Sequence, residues 1–177
     1  MKRFIFAAVI SVGIMSQAFG AMLSEGTRQL NVYGSLDETE EVNFTLGAKG
    51  GYFIMDNVEV GAGADWGMIH GGDVMNIGLS GFGEFNFVTA GMPNVIPYAG
   101  ASVGLRYSKI DLAGVDESDS VVEFVGWGGV KYFVVENLAI GTALRLFAAT
   151  DDIYIDDAPG TLDNTNWDIV MSTSFYF

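Results

Sequence analysis

The chain has 177 residues, 22 acidic against eight basic side chains, a formal charge of -14 and no cysteine, yet half of it is hydrophobic. Without thiols there is no disulfide framework, no cysteine metal site and no lipid-bearing cysteine behind a leader. So negative a balance also excludes the basic footprint that duplex nucleic acid requires.

Taken in order, Met1-Lys2-Arg3 is a positive start, Phe4 to Met15 is an apolar run, and Ala18-Phe19-Gly20 is a small-x-small site before Ala21. This is the pattern of a secretory signal peptide, and the run is shorter than the roughly 20 apolar residues of a spanning helix. Residues 1–20 are expected to be removed on export, leaving 21–177 as one domain. The loss of Lys2 and Arg3 makes the mature chain more acidic still. After this segment no apolar run approaches a transmembrane helix, so the hydrophobicity must lie in alternation, the weak per-segment signature of a membrane barrel.

The alternation predicts eight strands, Arg28–Leu36, Val42–Met55, Val58–Met68, Val74–Val88, Ile96–Lys109, Val121–Val134, Leu138–Ala149 and Asn166–Phe177. Asp56-Asn57 and Glu136-Asn137 read as tight turns, and Thr89 to Val95, with Gly91 and Pro93, as a third turn. The segments 37–41, 69–73, 110–120 and 150–165 read as longer polar connections, and short turns inside with longer loops outside is the habit of such barrels. Residues 52–61, Y-F-I-M-D-N-V-E-V-G, match 132–141, Y-F-V-V-E-N-L-A-I-G, at an offset of 80. Four strands with their connections fit that offset, as an internal duplication requires.

Side chains alternate across a strand. Sorting by parity collects Leu46, Val60, Ile77, Leu79, Leu105, Leu144 and many aromatics on one face, and nearly every strand charge on the other. A soluble barrel with the apolar face inside would be overfilled, because eight strands enclose only a narrow interior. The apolar face is therefore expected to meet lipid. A Lys or Arg on that face would cost about 2–4 kcal/mol near the midplane, so Lys49, Arg106, Lys131 and Arg145 should point inward with Asp65, Glu84, Glu123 and Asp168 as a balanced lumenal charge network. Pairing Met55 with Glu59 sets Lys49 opposite Asp65, and Arg145 and Asp168 lie on the last two strands. Inward Tyr33, Phe53, Phe82, Trp127, Phe133 and Phe147 fill the remaining space.

The outward aromatics fall at two heights, Tyr52, Phe85, Phe87, Tyr132, Phe175 and Phe177 near the inner ends and Phe44, Trp66, Tyr107, Phe124 and Trp167 near the outer ends. Two levels are what interfacial girdles require.

The last stretch, W-D-I-V-M-S-T-S-F-Y-F, alternates to a terminal Phe177. Together with G-G-V-K-Y-F-V-V-E-N-L-A-I-G (128–141) and P-Y-A-G-A-S-V-G (97–104), it resembles the small bacterial outer-membrane β-barrel-domain family, which includes OmpA/OmpX-type and opacity-like surface proteins. The resemblance implies an eight-stranded antiparallel transmembrane barrel in the outer membrane of a Gram-negative bacterium. It also implies a structural or cell-surface interaction role, and Phe175 and Phe177 as the signal read by the barrel-assembly machinery. A narrow channel or small-ligand passage through the lumen is the alternative.

No cofactor or metal site is indicated. The only histidine, His70, sits in a short glycine-rich connection with no serine and carboxylate to complete a catalytic set, so enzymatic activity is not expected. Most of the 22 acids fall in the outer connections: Asp37, Glu38, Glu40, Glu41, Asp73, Asp111, Asp116, Glu117, Asp119, Asp151, Asp152, Asp156, Asp157 and Asp163. Such a face suits divalent cations, bridging to lipopolysaccharide, or a basic surface partner. The segment 150–166 is the best place for Ca²⁺, although its acids lack the spacing of an EF-hand loop.

Overall fold

The computed structural model describes residues 23–38, 42–69, 74–89, 91–112, 115–155 and 162–177. Seven long strands follow one another, β1 Arg28–Glu38, β2 Val42–Met55, β3 Val58–Ile69, β4 Val74–Asn86, β5 Val95–Leu112, β6 Val115–Val135 and β7 Leu138–Ala149. Two short strands, β8 Tyr154–Ile155 and β9 Leu162–Asp163, pair with each other, and β10 Thr165–Tyr176 ends the chain. Each long strand pairs antiparallel with the next and β1 pairs with β10, which closes an eight-stranded up-and-down barrel.

Alternation produces this shape directly. Along β7, Ala139, Gly141, Ala143, Phe147 and Ala149 are buried while Ile140, Leu144 and Leu146 between them are exposed. A sheet whose bulky apolar face points outward must close on its polar face. Closure also satisfies the backbone groups that an open edge would leave bare in lipid.

The turns Asp56-Asn57 and Glu136-Asn137 share one irregularity. In each hairpin the register jumps by one residue, between Phe53 and Met55 and between Phe133 and Val135. These bulges lie 80 residues apart, as the sequence repeat does, and both Phe53 and Phe133 are fully buried. Asn57 takes a left-handed backbone (φ 66°), which asparagine tolerates better than most residues.

The end that carries these turns is stoppered. Leu23, just ahead of β1, accepts from Asn57 N at 2.7 Å, and Gly26 and Thr27 exchange backbone bonds with Phe53. Leu23 is buried with Phe53, Ile96, Phe133, Ala139 and Tyr176 in one apolar cluster. At the opposite end Ile153, in the connection after β7, is buried in a second cluster with Val121, Val125, Phe147 and Ala149.

Three sequence expectations need correction. The hairpin of β5 and β6 continues well past the expected ends, so Asp111, Asp116, Glu117 and Asp119 lie on paired strand and not in a loop. Beyond the apolar band a hairpin pairs with itself and needs no apolar face, which is why alternation did not mark it. Asp37 and Glu38 likewise end β1, and the connection 150–165 contains the β8–β9 ribbon.

Candidate functional site

The lumen is where the charged side chains meet, and strand register decides which of them touch. Glu84 on β4 is the centre of the lower group. Its carboxylate accepts from Lys131 Nζ and from Trp127 Nε1 at 3.0 Å, and Lys49 Nζ lies 3.9 Å away. Lys131 also donates to Asn86 Oδ1 at 3.0 Å and sits over the Tyr98 ring, while Lys49 lies 4.2 Å from the centre of the Trp127 ring. Both ammonium groups are thus held between a carboxylate and aromatic faces, which offsets part of their loss of water.

Arg106 organises the upper group. It donates to Glu123 through Nε at 2.5 Å and Nη2 at 2.9 Å, and Nη2 lies 3.0 Å from Asp65 Oδ1. A third group is formed by Arg145, which makes a two-point contact with Asp168, with Nε to Oδ1 at 2.8 Å, between the rings of Tyr33 and Phe147. Ordered guanidinium forks of this kind are the strong members of their class.

The structure brings Arg145 and Asp168 directly opposite each other. It does not bring Lys49 to Asp65. The two-residue turn and its bulge set Phe53 opposite Glu59, so Lys49 faces Gly63 and Asp65 faces Gly47. The two-residue slip keeps every side chain on its own face but changes the partners, to Glu84 for Lys49 and Arg106 for Asp65.

Sequence reasoning missed Glu59, a fully buried fifth lumenal acid. The amide of Gln29 turns its nitrogen toward the Glu59 carboxylate, 2.8 Å from Oε1, and accepts from Ser174 Oγ with its oxygen. Alternation places Glu59 inward, but its position beside a turn hid it. Gly51 makes room for it, because a Cβ there would stand 1.7 Å from Oε1.

What remains open inside is small. The cavity bounded by both charge groups has a volume of about 50 Å³, enough for a few waters.

The exterior is the reverse. Tyr52, Phe85, Phe87, Tyr132, Phe175 and Phe177 are exposed toward the stoppered end, and Trp66, Tyr107, Phe124 and Trp167 toward the other. Phe44 is half-buried, edge-on to Trp66 with ring centres 6.1 Å apart. Between them Leu79, Leu105, Leu144, Leu146, Ile169 and Met171 are exposed.

His70, Glu40, Glu41, Asp73, Asp156 and Asp157 lie outside the described residues, as does the segment 1–20. Asp151, Asp152 and Asp163 are exposed. Among the described residues no group of three or more acids or histidines is placed to hold a metal ion, and no helix is long and apolar enough to cross a membrane.

A closed eight-stranded barrel with an apolar outside and charges packed within defines the class of small transmembrane β-barrels. No protein-family model matches the chain, and neither does any curated protein. Solved structures do. The N-terminal β-barrel domain of Pseudomonas aeruginosa OprF aligns with a TM-score of 0.64 and 17% identity, over 86% of this chain and 98% of that one. OprG from the same organism gives 0.62 and 15% over 91% and 99%, and Neisserial surface protein A gives 0.61 and 17% over 85% and 96%. The fold is that of the small outer-membrane barrels which the glycine-rich motifs and closing strand resemble.

Proposed function

We propose that the protein is an outer-membrane barrel of a Gram-negative bacterium with a structural or cell-surface interaction role, exported by residues 1–20. In this reading Phe175 and Phe177 are read by the barrel-assembly machinery, and the finished barrel sits among outer-membrane lipid and lipopolysaccharide. It carries out no catalysis. The observation behind the reading is the reversed polarity, with exposed Leu, Ile, Met, Phe and Trp around a wall that encloses Glu84, Lys131, Arg106 and Glu123. In water such a surface would aggregate; in lipid it is the stable arrangement.

The lumenal charges act as a plug. Each cation has a carboxylate and the open volume is small, so activity belongs at the acidic outer surface. That surface is suited to divalent cations or a basic partner, and Ca²⁺ titration of the refolded protein, read by calorimetry, tests the first.

The deciding experiment is to refold the mature chain in lipid, verify a heat-sensitive shift in gel mobility, and record current across planar bilayers. A folded, silent barrel is the expected result. Discrete openings would transfer the function to the channel alternative, and failure to fold in lipid would end the membrane reading.

A further inference from the structure

Beyond residue 20 the basic residues are Arg28, Lys49, Arg106, Lys109, Lys131 and Arg145. Lys49, Arg106, Lys131 and Arg145 pair with acids inside the lumen. The outer wall keeps the other two, Lys109 just past Tyr107 at one end and Arg28 at the end of the short turns. Arg28 begins β1, opposite Tyr52 on β2, and exchanges backbone bonds with Phe177 on its other side. It is exposed, and among the described residues no acid pairs with its guanidinium, Glu25 and Asp56 at the same end included. At girdle height on a lipid-facing wall, such a side chain carries its charge to the headgroups.

The wall beside Arg28 is hollowed. The segments L-G-A-K-G-G-Y (46–52) and V-G-A-G-A-D-W (60–66) turn small residues outward between bulky ends. Leu30 stands opposite Gly50, and Gly50 opposite Ala62; one step further along the strands Val32 stands opposite Ala48, and Ala48 opposite Ala64. Leu46 against Trp66 closes the column.

Gly51 makes room for Glu59, but Gly50 has no such duty: a Cβ there would meet nothing within 4 Å. Glycine weakens a strand, and in a strand interior it often marks a place where a ligand approaches closely. Leu30, Tyr52 and Phe177 stand exposed around it, and the result is an open groove of about 500 Å³ that Arg28 and Val60 also line. From Tyr52 to Leu46 the hollow runs about 20 Å along the strand, which at a tilt of about 40° is about 15 Å of depth. That is one leaflet of a hydrocarbon core about 30 Å thick.

We propose that this groove binds one anionic glycerophospholipid of the inner leaflet. The phosphate rests on the Arg28 guanidinium at the level of Tyr52, and one acyl chain lies over Gly50, Ala48 and Ala62 toward Trp66. An unpaired cation at headgroup height and an apolar trough one leaflet deep call for an anion and a long chain on the same molecule. Lipopolysaccharide, entering from the opposite side, would meet the trough only at the end that Leu46 and Trp66 close. The inference rests on the membrane reading and gives it a particular lipid partner.

The test uses the mature chain refolded in vesicles of equal parts phosphatidylcholine and phosphatidylglycerol. Heat-sensitive gel mobility is checked first, so that a chain unable to fold in lipid counts against the membrane reading and not against the site. The barrel is released in mild detergent and its retained lipid counted by native mass spectrometry. One phosphatidylglycerol per barrel, favoured about fivefold over phosphatidylcholine, is expected.

Arg28→Gln removes the cation and Gly50→Leu fills the open space above it; each is expected to bring the two lipids to parity. Lys109→Gln removes a wall cation outside the groove and is expected to leave the preference unchanged. Should Gly50→Leu fail to fold, Ala48→Leu fills the same trough one step along, with the same expectation. Parity in the unmodified barrel, a preference that survives loss of the cation or filling of the trough, or an equal loss in Lys109→Gln would overturn the proposal and reduce the contact to ordinary boundary lipid.

Discussion

Glu84 shows at the level of one residue how the interior is held together. Its carboxylate serves Lys131, Lys49 and Trp127 at once, and both Glu84 and Lys131 are almost fully buried. Glu84→Ala strands a buried ammonium and is expected to cost about 3–5 kcal/mol. Asp168→Ala removes the partner of Arg145 closer to water, where the Asp168 side chain is 22% exposed, and is expected to cost about 1 kcal/mol. Urea midpoints of vesicle-folded protein compare the two; equal losses would contradict the difference in burial between Glu84 and Asp168. Space is as strictly allotted as charge. A Cβ at Gly100 would lie 2.6 Å from the Trp127 ring, so Gly100→Val is expected to push Trp127 off Glu84 and lower the temperature at which the folded gel band is lost. An unchanged temperature would show that the ring can move aside freely.

At the level of the strand, alternation made most of the architecture legible and left the pairing unread. Leu144 against Ala143, or Leu79 against Ser80, announces its face without any knowledge of neighbours, because outward residues meet lipid and inward ones a narrow lumen. Which inward charge meets which depends on a turn and a bulge. The Lys49–Asp65 pairing failed by a two-residue slip that parity cannot detect. The outer half of the β5–β6 hairpin escaped for a different reason, since V-D-E-S-D-S carries no apolar rhythm and is held by pairing alone. Turn chemistry is itself open to test. Asn57 sits at φ 66° whereas Asn137, its counterpart in the second hairpin, does not have a positive φ. Asn57→Val is therefore expected to cost about 1–2 kcal/mol and Asn137→Val clearly less, by the same urea midpoints. Equal costs would show that the two hairpins share more than their bulge.

On the scale of the whole molecule, the account reduces to which surface meets lipid. The apolar wall, the cluster around Leu23, the buried Ile153 and the paired lumenal charges describe a barrel with its polar side chains packed inward and its apolar ones around its girth. The same chain with its faces exchanged would be a soluble ligand carrier. The three tryptophans distinguish these states, because Trp66 and Trp167 stand on the outer wall while Trp127 is buried in the lumen on Glu84. The most direct measurement is fluorescence quenching by brominated lipids in variants that keep one tryptophan each. Strong quenching of Trp66 and Trp167 by bromines near the headgroups, with Trp127 untouched at every depth, is the expected result. Quenching of Trp127 with Trp66 and Trp167 open to aqueous iodide would contradict it and turn the barrel inside out.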